Sequence, residues 1–209
     1  GLDLLLCRDD QGGTRPRAQR LAPPHPKALE PMNTEQQYHE VVAECRTLFA
    51  QKLHDYGASW RILRPSSLTD QMMIKALRIR SLEIKAEQRV DEDVDNEYIG
   101  IVNYGIIGLI QLERTPSDKP DLSSEEALEL YDQLIEETYQ LMIDKNHDYD
   151  EAWRKMRISS ITDIILTKIF RTKEIEDLAG KTLVSEGIAA NYQDMINYAI
   201  FALIKLRFD

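Results

Sequence analysis

Between residues 33 and 208 the apolar positions recur every three to four residues, and no stretch keeps the two-residue alternation of a strand. The first such stretch, 33–52, sets Val41, Val42, Cys45, Leu48 and Phe49 on one face behind a capping candidate, Asn33 or Thr34. A second runs from about Ser67 to Lys85. A third, 96–114, is more apolar and carries Ile99, Val102, Ile106, Ile107 and Ile110. The series then starts again. Residues 123–145 present Leu128, Tyr131, Leu134, Ile135, Leu141 and Met142 behind the acidic turn Ser124-Glu125-Glu126. Stretches at 160–178 and 190–208 follow, the last with Met195, Ile196, Ile200, Phe201, Leu203 and Ile204. Ser67-x-x-Asp70 and Ser160-x-x-Asp163 read as capping boxes with Asp in the place of Glu. The pattern predicts six helices.

The recurrence extends to residue identity. Residues 52–80 align with 145–173 at an offset of 93 without a gap, and 13 of the 29 positions are identical. Tyr38/Tyr131 and Glu44/Glu137 keep that offset upstream. Tyr98/Tyr192, Asn103/Asn197 and Tyr104/Tyr198 match at 94 downstream, one residue having been inserted. The chain is a tandem duplication of a three-helix unit. The expected fold is all-α: a six-helix, pseudo-two-fold bundle with repeats at 32–115 and 121–209, joined by a Pro-containing linker near Thr115–Asp121. The third helices are apolar around more of their circumference than a three-helix unit can cover, so the copies are expected to pack together as one domain.

Composition narrows the function classes. Residues 1–31 hold five of the eight prolines, have a net charge of +1 and show no helical period, so they are expected to lie outside the fold. They lack the Ser enrichment of a transit peptide and carry Asp3, Asp9, Asp10 and Glu30. The whole chain of 209 residues has a net charge of −10, which disfavours a general binder of nucleic-acid backbone but not a local basic pocket. No apolar run approaches the roughly 18 residues of a membrane span. Cys7 and Cys45 make neither a metal spacing nor a disulfide framework, and a cytoplasmic setting is expected. A homo-oligomer is compatible with all of these features.

The repeated segment carries the candidate chemistry: Lys52-x-His54-Asp55-Tyr56-x-x-x-Trp60-Arg61-x-x-Arg64-x-Ser66-Ser67-x-Thr69-Asp70-x-x-x-x-Lys75-x-x-Arg78. It has a structural reading, with tryptophans anchoring a loop and serines capping a helix. It also has a ligand reading. A helix N-terminus offers unpaired N–H groups and a partial positive charge. Arg61 and Arg64 precede one such terminus, Lys75 and Arg78 share a face beyond it, and Arg154, Arg157, Ser159, Ser160, Lys168 and Arg171 repeat the arrangement. These cations can hold a di- or triphosphate while Tyr149 or Trp153, or Tyr56 or Trp60, stacks on a base. The competing assignment is that they neutralise carboxylates. His54 and His147 have no second ligand at metal spacing.

Glu44 and Glu137 fall on or near the buried stripes of their helices. An inward carboxylate must be paired, protonated or metal-bound. Salt bridges to Arg78 or Arg171 meet that need, and so does Mg²⁺ held by Glu137 with Asp194 as co-ligand. Asn103 and Asn197 sit in the most apolar helices, either as satisfied core amides or as readers of a base edge. Copy one has Gly100 where copy two has Asp194, with Glu97 one turn earlier, so the two halves need not be equally active.

Lys-x-His-Asp-Tyr-x-x-x-Trp-Arg, Arg-x-Ser-Ser-x-Thr-Asp and Tyr-x-x-x-x-Asn-Tyr, each present twice, resemble the nucleotide modification associated domain 1 family in its two-copy bacterial form. The resemblance covers about 33–208. It implies an all-helical protein tied to modified nucleotides by genomic association in phages, without an established reaction. A weaker similarity is to the all-helical, MazG-like nucleoside triphosphate pyrophosphohydrolases, which hold Mg²⁺ with Glu-Glu-x-x-Glu on one helix and Glu/Asp-x-x-Asp on a later one. Here Glu136-Glu137-x-x-Gln140 and Asn191-x-x-Asp194 stand in those places. The similarity implies a Mg²⁺-dependent nucleotide pyrophosphohydrolase, with Arg157, Lys168 and Arg171 stabilising the phosphoryl group. The alternative is a non-catalytic binding or scaffold protein that uses the same basic segment for a nucleotide or an acidic partner.

Overall fold

Helix α1 (Thr34–Tyr56) begins at a reciprocal cap: Asn33 Oδ1 accepts the Gln36 N–H at 2.9 Å, and Gln36 Oε1 accepts the Asn33 N–H at 3.0 Å. The computed structural model describes residues 30–85, 94–179 and 187–209, so the tail lies outside the described residues except for Glu30 and Pro31. Helix α4 (Ser124–Tyr149) opens the same way, with Ser123 and Glu126 as the box. Both helices run four residues past the ends expected from periodicity, placing Lys52–Tyr56 and Lys145–Tyr149 on helix rather than loop. Each stops in a left-handed residue. Copy one uses Gly57 (φ +62°), which bears no Cβ penalty, and copy two uses Asp150 (φ +50°).

A short 3-10 turn follows in each copy, at Ser59–Ile62 and Ala152–Lys155. Helices α2 (Pro65–Lys85) and α5 (Ile158–Asp177) then begin two residues before the expected boxes. Pro65 suits a first helical position, where its missing N–H has no partner to lose. Ser67 and Asp70 therefore lie inside the helix, and the expected boxes do not form. Asp70 instead meets Lys173 at 2.6 Å, and its counterpart Asp163 faces Arg80 at 3.9 Å, both across the two copies.

The central pair is α3 (Val94–Arg114) against α6 (Ile188–Phe208), one from each copy. Their approach depends on small residues. A Cβ at Gly105 would stand 2.6 Å from Ile196, and one at Gly108 2.6 Å from the Tyr192 ring. Helices α2 and α5 flank this pair and touch each other, while α1 leans on α6 and α4 on α3. The copies are interleaved, and Met32–Asp209 makes one compact unit.

Buried polar groups tie the copies together in matched pairs. Tyr38 donates to Asn197 Oδ1 at 2.7 Å, and Tyr131 donates to Asn103 Oδ1 at 2.8 Å. The amides donate in turn to the carbonyls of Thr138 and Cys45. Thr69 and Tyr192 share a hydroxyl–hydroxyl bond of 2.6 Å, matched by Tyr98 and Thr162 at 2.7 Å. Burial pushes all four phenols above their ordinary range and keeps them neutral donors. No helix among the described residues is long and apolar enough to cross a membrane.

Candidate functional site

The arginines of the repeated segment divide by depth. Arg61 is buried, and its guanidinium bonds Asp121 Oδ1 at 2.7 Å and the Gln111 side chain. Gln111 donates back to the carbonyls of Arg61 and Leu63. This knot fastens the turn and the linker, so Arg61 is employed structurally rather than at a phosphate. Arg154 lies 4.5 Å over the Trp153 ring and donates to Thr34 and Gln37 at 2.7 and 2.6 Å, holding the start of α1. Arg64 and Arg157 are exposed beside the starts of α2 and α5, with Ser159 exposed and Ser160 half-buried nearby. Arg171 is also exposed.

The carboxylates differ from their expected roles as well. Glu137 is exposed and accepts from Gln133, and Glu44 is exposed and pairs with Arg207 at 2.7 Å. Both project from the edge of the stripe rather than into it, so neither needs a metal or a buried arginine. Both Asp194 oxygens face ammonium groups, Lys145 at 2.6 Å and Lys168 at 3.1 Å. Among the described residues no three His, Cys, Asp or Glu side chains gather as a metal site. Glu137 does not line the cavity that Asp194 enters, and both Asp194 oxygens already face ammonium groups, so this pair does not fit Mg²⁺, a cation bound by carboxylate oxygens. Asn197 has its carbonyl on Tyr38 and its amide on Thr138, a core role rather than that of a base reader.

Two cavities occupy matching places in the copies. The first, about 700 Å³, is lined by Phe49, Lys52, Tyr56, Trp60, Lys75, Gly100, Asn103, Tyr104 and Ile107 among others. The second, about 340 Å³, is lined by the counterparts Met142, Lys145, Tyr149, Trp153, Lys168, Asp194, Asn197, Tyr198 and Phe201. The side chains explain the difference. Phe201, in the place of Ile107, stacks on Trp153 with centroids 4.2 Å apart and planes 1° from parallel. Trp60 leaves that position open and instead leans on Phe49, 6.2 Å away.

Charge differs in the same direction. In copy two, Asp194 enters the cavity and pairs with both lysines, one oxygen to each. In copy one, Gly100 stands in that position, and the acid lies one turn earlier as buried Glu97. Arg78 Nε pairs with Glu97 Oε1 at 3.2 Å, and Lys75 Nζ lies as close to Oε2, an ion pair without hydrogen-bond geometry. Lys52 lines the rim exposed and has no ion-pair partner among the described residues. The result is an apolar, aromatic pocket with two ammonium groups at its edge, one of them unpaired.

A further matched pair escaped the sequence reading. Glu83 Oε1 accepts from Thr162 at 2.7 Å, and Glu176 Oε2 accepts from Thr69 at 3.2 Å. Burial raises both carboxyl groups above their ordinary range. Their identity at the same offset of 93, three residues past the aligned segment, was the available signal.

The sequence model of the family described as Nucleotide modification associated domain 1 matches the chain twice, at residues 52–112 and 145–206. The two matches coincide with the two copies and span more than half of the chain, which belongs to this family. No curated protein and no solved structure matches it.

Proposed function

We propose that this member of the nucleotide modification associated domain 1 family binds a nucleotide in the copy-one cavity. The observation that carries the reading is the pairing of an aromatic, mostly apolar cavity of about 700 Å³ with two lysines at its rim. Pockets of this size with a few convergent polar groups are the usual form of a small-molecule site. In this reading a base packs among Phe49, Trp60 and Tyr104, where burial supplies the affinity, and the phosphate meets Lys52 and Lys75. Arg64 is exposed and follows Leu63, which lines the cavity, so in this reading it is a candidate for the distal phosphates of a longer chain. A nucleotide ligand and two cysteines without a framework suit a cytoplasmic setting.

The test is a thermal-shift and calorimetric screen of the common nucleoside mono- and triphosphates, with and without Mg²⁺. A ligand at about 100 times its dissociation constant stabilises by roughly 2.7 kcal/mol, a shift easily seen. Substituting Lys52 by Met is expected to weaken binding. Pyrophosphate release that requires Mg²⁺ would extend the reading to a pyrophosphohydrolase. If no nucleotide binds, the nucleotide reading falls and the scaffold alternative takes its place, with an acidic group of a partner meeting the lysines.

A further inference from the structure

The two cavities are built from matched positions, yet among the described residues only the second has a carboxylate in its lining. Asp194 projects into the second and sits between Lys145 Nζ and Lys168 Nζ, at 2.6 and 3.1 Å. It is mostly buried, its side chain 14% exposed. Two ammonium groups converging on two oxygens of one anion is the geometry by which lysines hold a phosphoryl or carboxylate group of a ligand. The equivalents of both lysines, Lys52 and Lys75, line the first cavity, where the position of Asp194 is taken by Gly100. No side chain can enter from Gly100, and even a Cβ there would stand 3.1 Å from Lys75 Cε.

We propose that Asp194 is an internal surrogate for the ligand's anionic group, so that the chain binds one anion, over Gly100 between Lys52 and Lys75, and its second site is closed. This rests on the nucleotide reading of the first cavity and adds to it where the phosphate lies and how many ligands bind. The closure has two parts. The carboxylate of Asp194 satisfies the cations, and Phe201 fills, against Trp153, the space that Ile107 leaves open beside Trp60. The acid in copy one has not been lost but moved: Glu97 pairs with Lys75 and Arg78, and its counterpart in copy two is the uncharged Asn191. Among the described residues, the acid of copy one meets Lys75 and leaves Lys52 alone, whereas that of copy two lies between both lysines.

The chain's two tryptophans make the test direct, because Trp60 lines the first cavity and Trp153 the second. Titration of the intact protein with inorganic pyrophosphate and with the four common nucleoside monophosphates is expected to give one equivalent. In a Trp153→Phe background the remaining Trp60 emission should respond, and in a Trp60→Phe background that of Trp153 should not. Asp194→Gly, alone and with Phe201→Ile, exchanges copy-two residues for those of copy one and should add a second equivalent that Trp153 reports. Asp194→Asn removes the charge at nearly constant volume and serves if the larger changes impair folding. The reverse exchange, Gly100→Asp, should weaken binding at the first cavity by about tenfold or more without lowering the melting temperature. Two equivalents in the intact chain would overturn the inference. So would a single equivalent in the folded Asp194 variants with unchanged Trp153 emission, or full binding by Gly100→Asp. No binding by the intact chain sinks the nucleotide reading and this inference with it; one equivalent everywhere sinks the inference alone.

Discussion

The two cavities of this protein began as one sequence and now differ by a few side chains. In copy one, Gly100 and Ile107 leave a pocket of about 700 Å³ with Lys52 at its rim, unpaired among the described residues. In copy two, Asp194 and Phe201 reduce the space to about 340 Å³, pair both lysines and stack an aromatic ring on Trp153. The half closer to a catalytic motif in sequence, with Glu136-Glu137 and Asn191-x-x-Asp194, is thus the half with the smaller pocket, whose acid is already paired with its lysines. An acidic residue at a motif position says little about a site until its partners are known. A carboxylate held by two ammonium groups is already bound.

The largest effect that would break this contrast is at the tryptophans. Trp153 is 5% exposed and stacked, so Trp153→Ala should cost about 3–5 kcal/mol in urea unfolding. Trp60 faces the open cavity half-buried, and Trp60→Ala should cost roughly half as much. Equal losses would mean that the two pockets are packed alike.

A second comparison concerns the helices that hold the cavities apart. Helix α3 passes Tyr192 with Gly108, whereas α6 carries Ala202 at the matched position. Gly108→Ala forces a methyl to within 2.6 Å of a fully buried ring and should destabilise by about 1–3 kcal/mol in the same assay. Gly105→Ala meets the equally buried Ile196 at the same distance and should fall in the same range. If both are neutral, the α3–α6 approach is looser than described.

The carboxyls Glu83 and Glu176 offer a contrast expected to be small, because their surroundings match. Burial raises both above the ordinary carboxylate value, so over the window from that value up to the raised one the folded chain binds more protons than the unfolded chain. Stability should therefore fall as pH rises through that window and be greatest below it. Glu83→Gln and Glu176→Gln should each flatten part of the slope by similar amounts, measured as melting temperature against pH. A slope of the opposite sign, or one unchanged in both variants, would contradict the assignment.

The smallest stability effects should come from the rim lysines. Lys52→Met is expected to leave stability within about 0.5 kcal/mol, since the side chain is exposed and unpaired among the described residues. Lys145→Met removes one half-exposed partner of Asp194 and should cost about 0–1 kcal/mol. Nucleotide affinity should show the reverse order, with a loss for Lys52→Met and none for Lys145→Met.

The duplication, the six helices and the Asn33 cap were legible in the residues alone, because helical periodicity and capping are local, whereas the boxes expected at Ser67 and Ser160 fell inside their helices. Tyr38, Tyr131, Asn103 and Asn197 were legible as matched residues, and for the two asparagines the core role was one of two open assignments. The partners were not legible. Asn197 meets Tyr38, Thr162 meets Glu83, and Asp70 meets Lys173, each pair joining different copies. Identical segments give no signal as to whether a helix packs on its own copy or the other, and here α1 and α4 cross over. Periodicity also places a residue on a face only to within about one position, which is why Glu44 and Glu137 were assigned to the stripe and lie outside it. Arg61 and Arg64, three residues apart in the same motif, have opposite depths because one meets Gln111 and Asp121 across the turn and the other meets solvent. Residue type and spacing set which charges the chain carries; which charge meets which was settled by the interleaving of the two copies, where burial makes an unpaired charge too costly to leave.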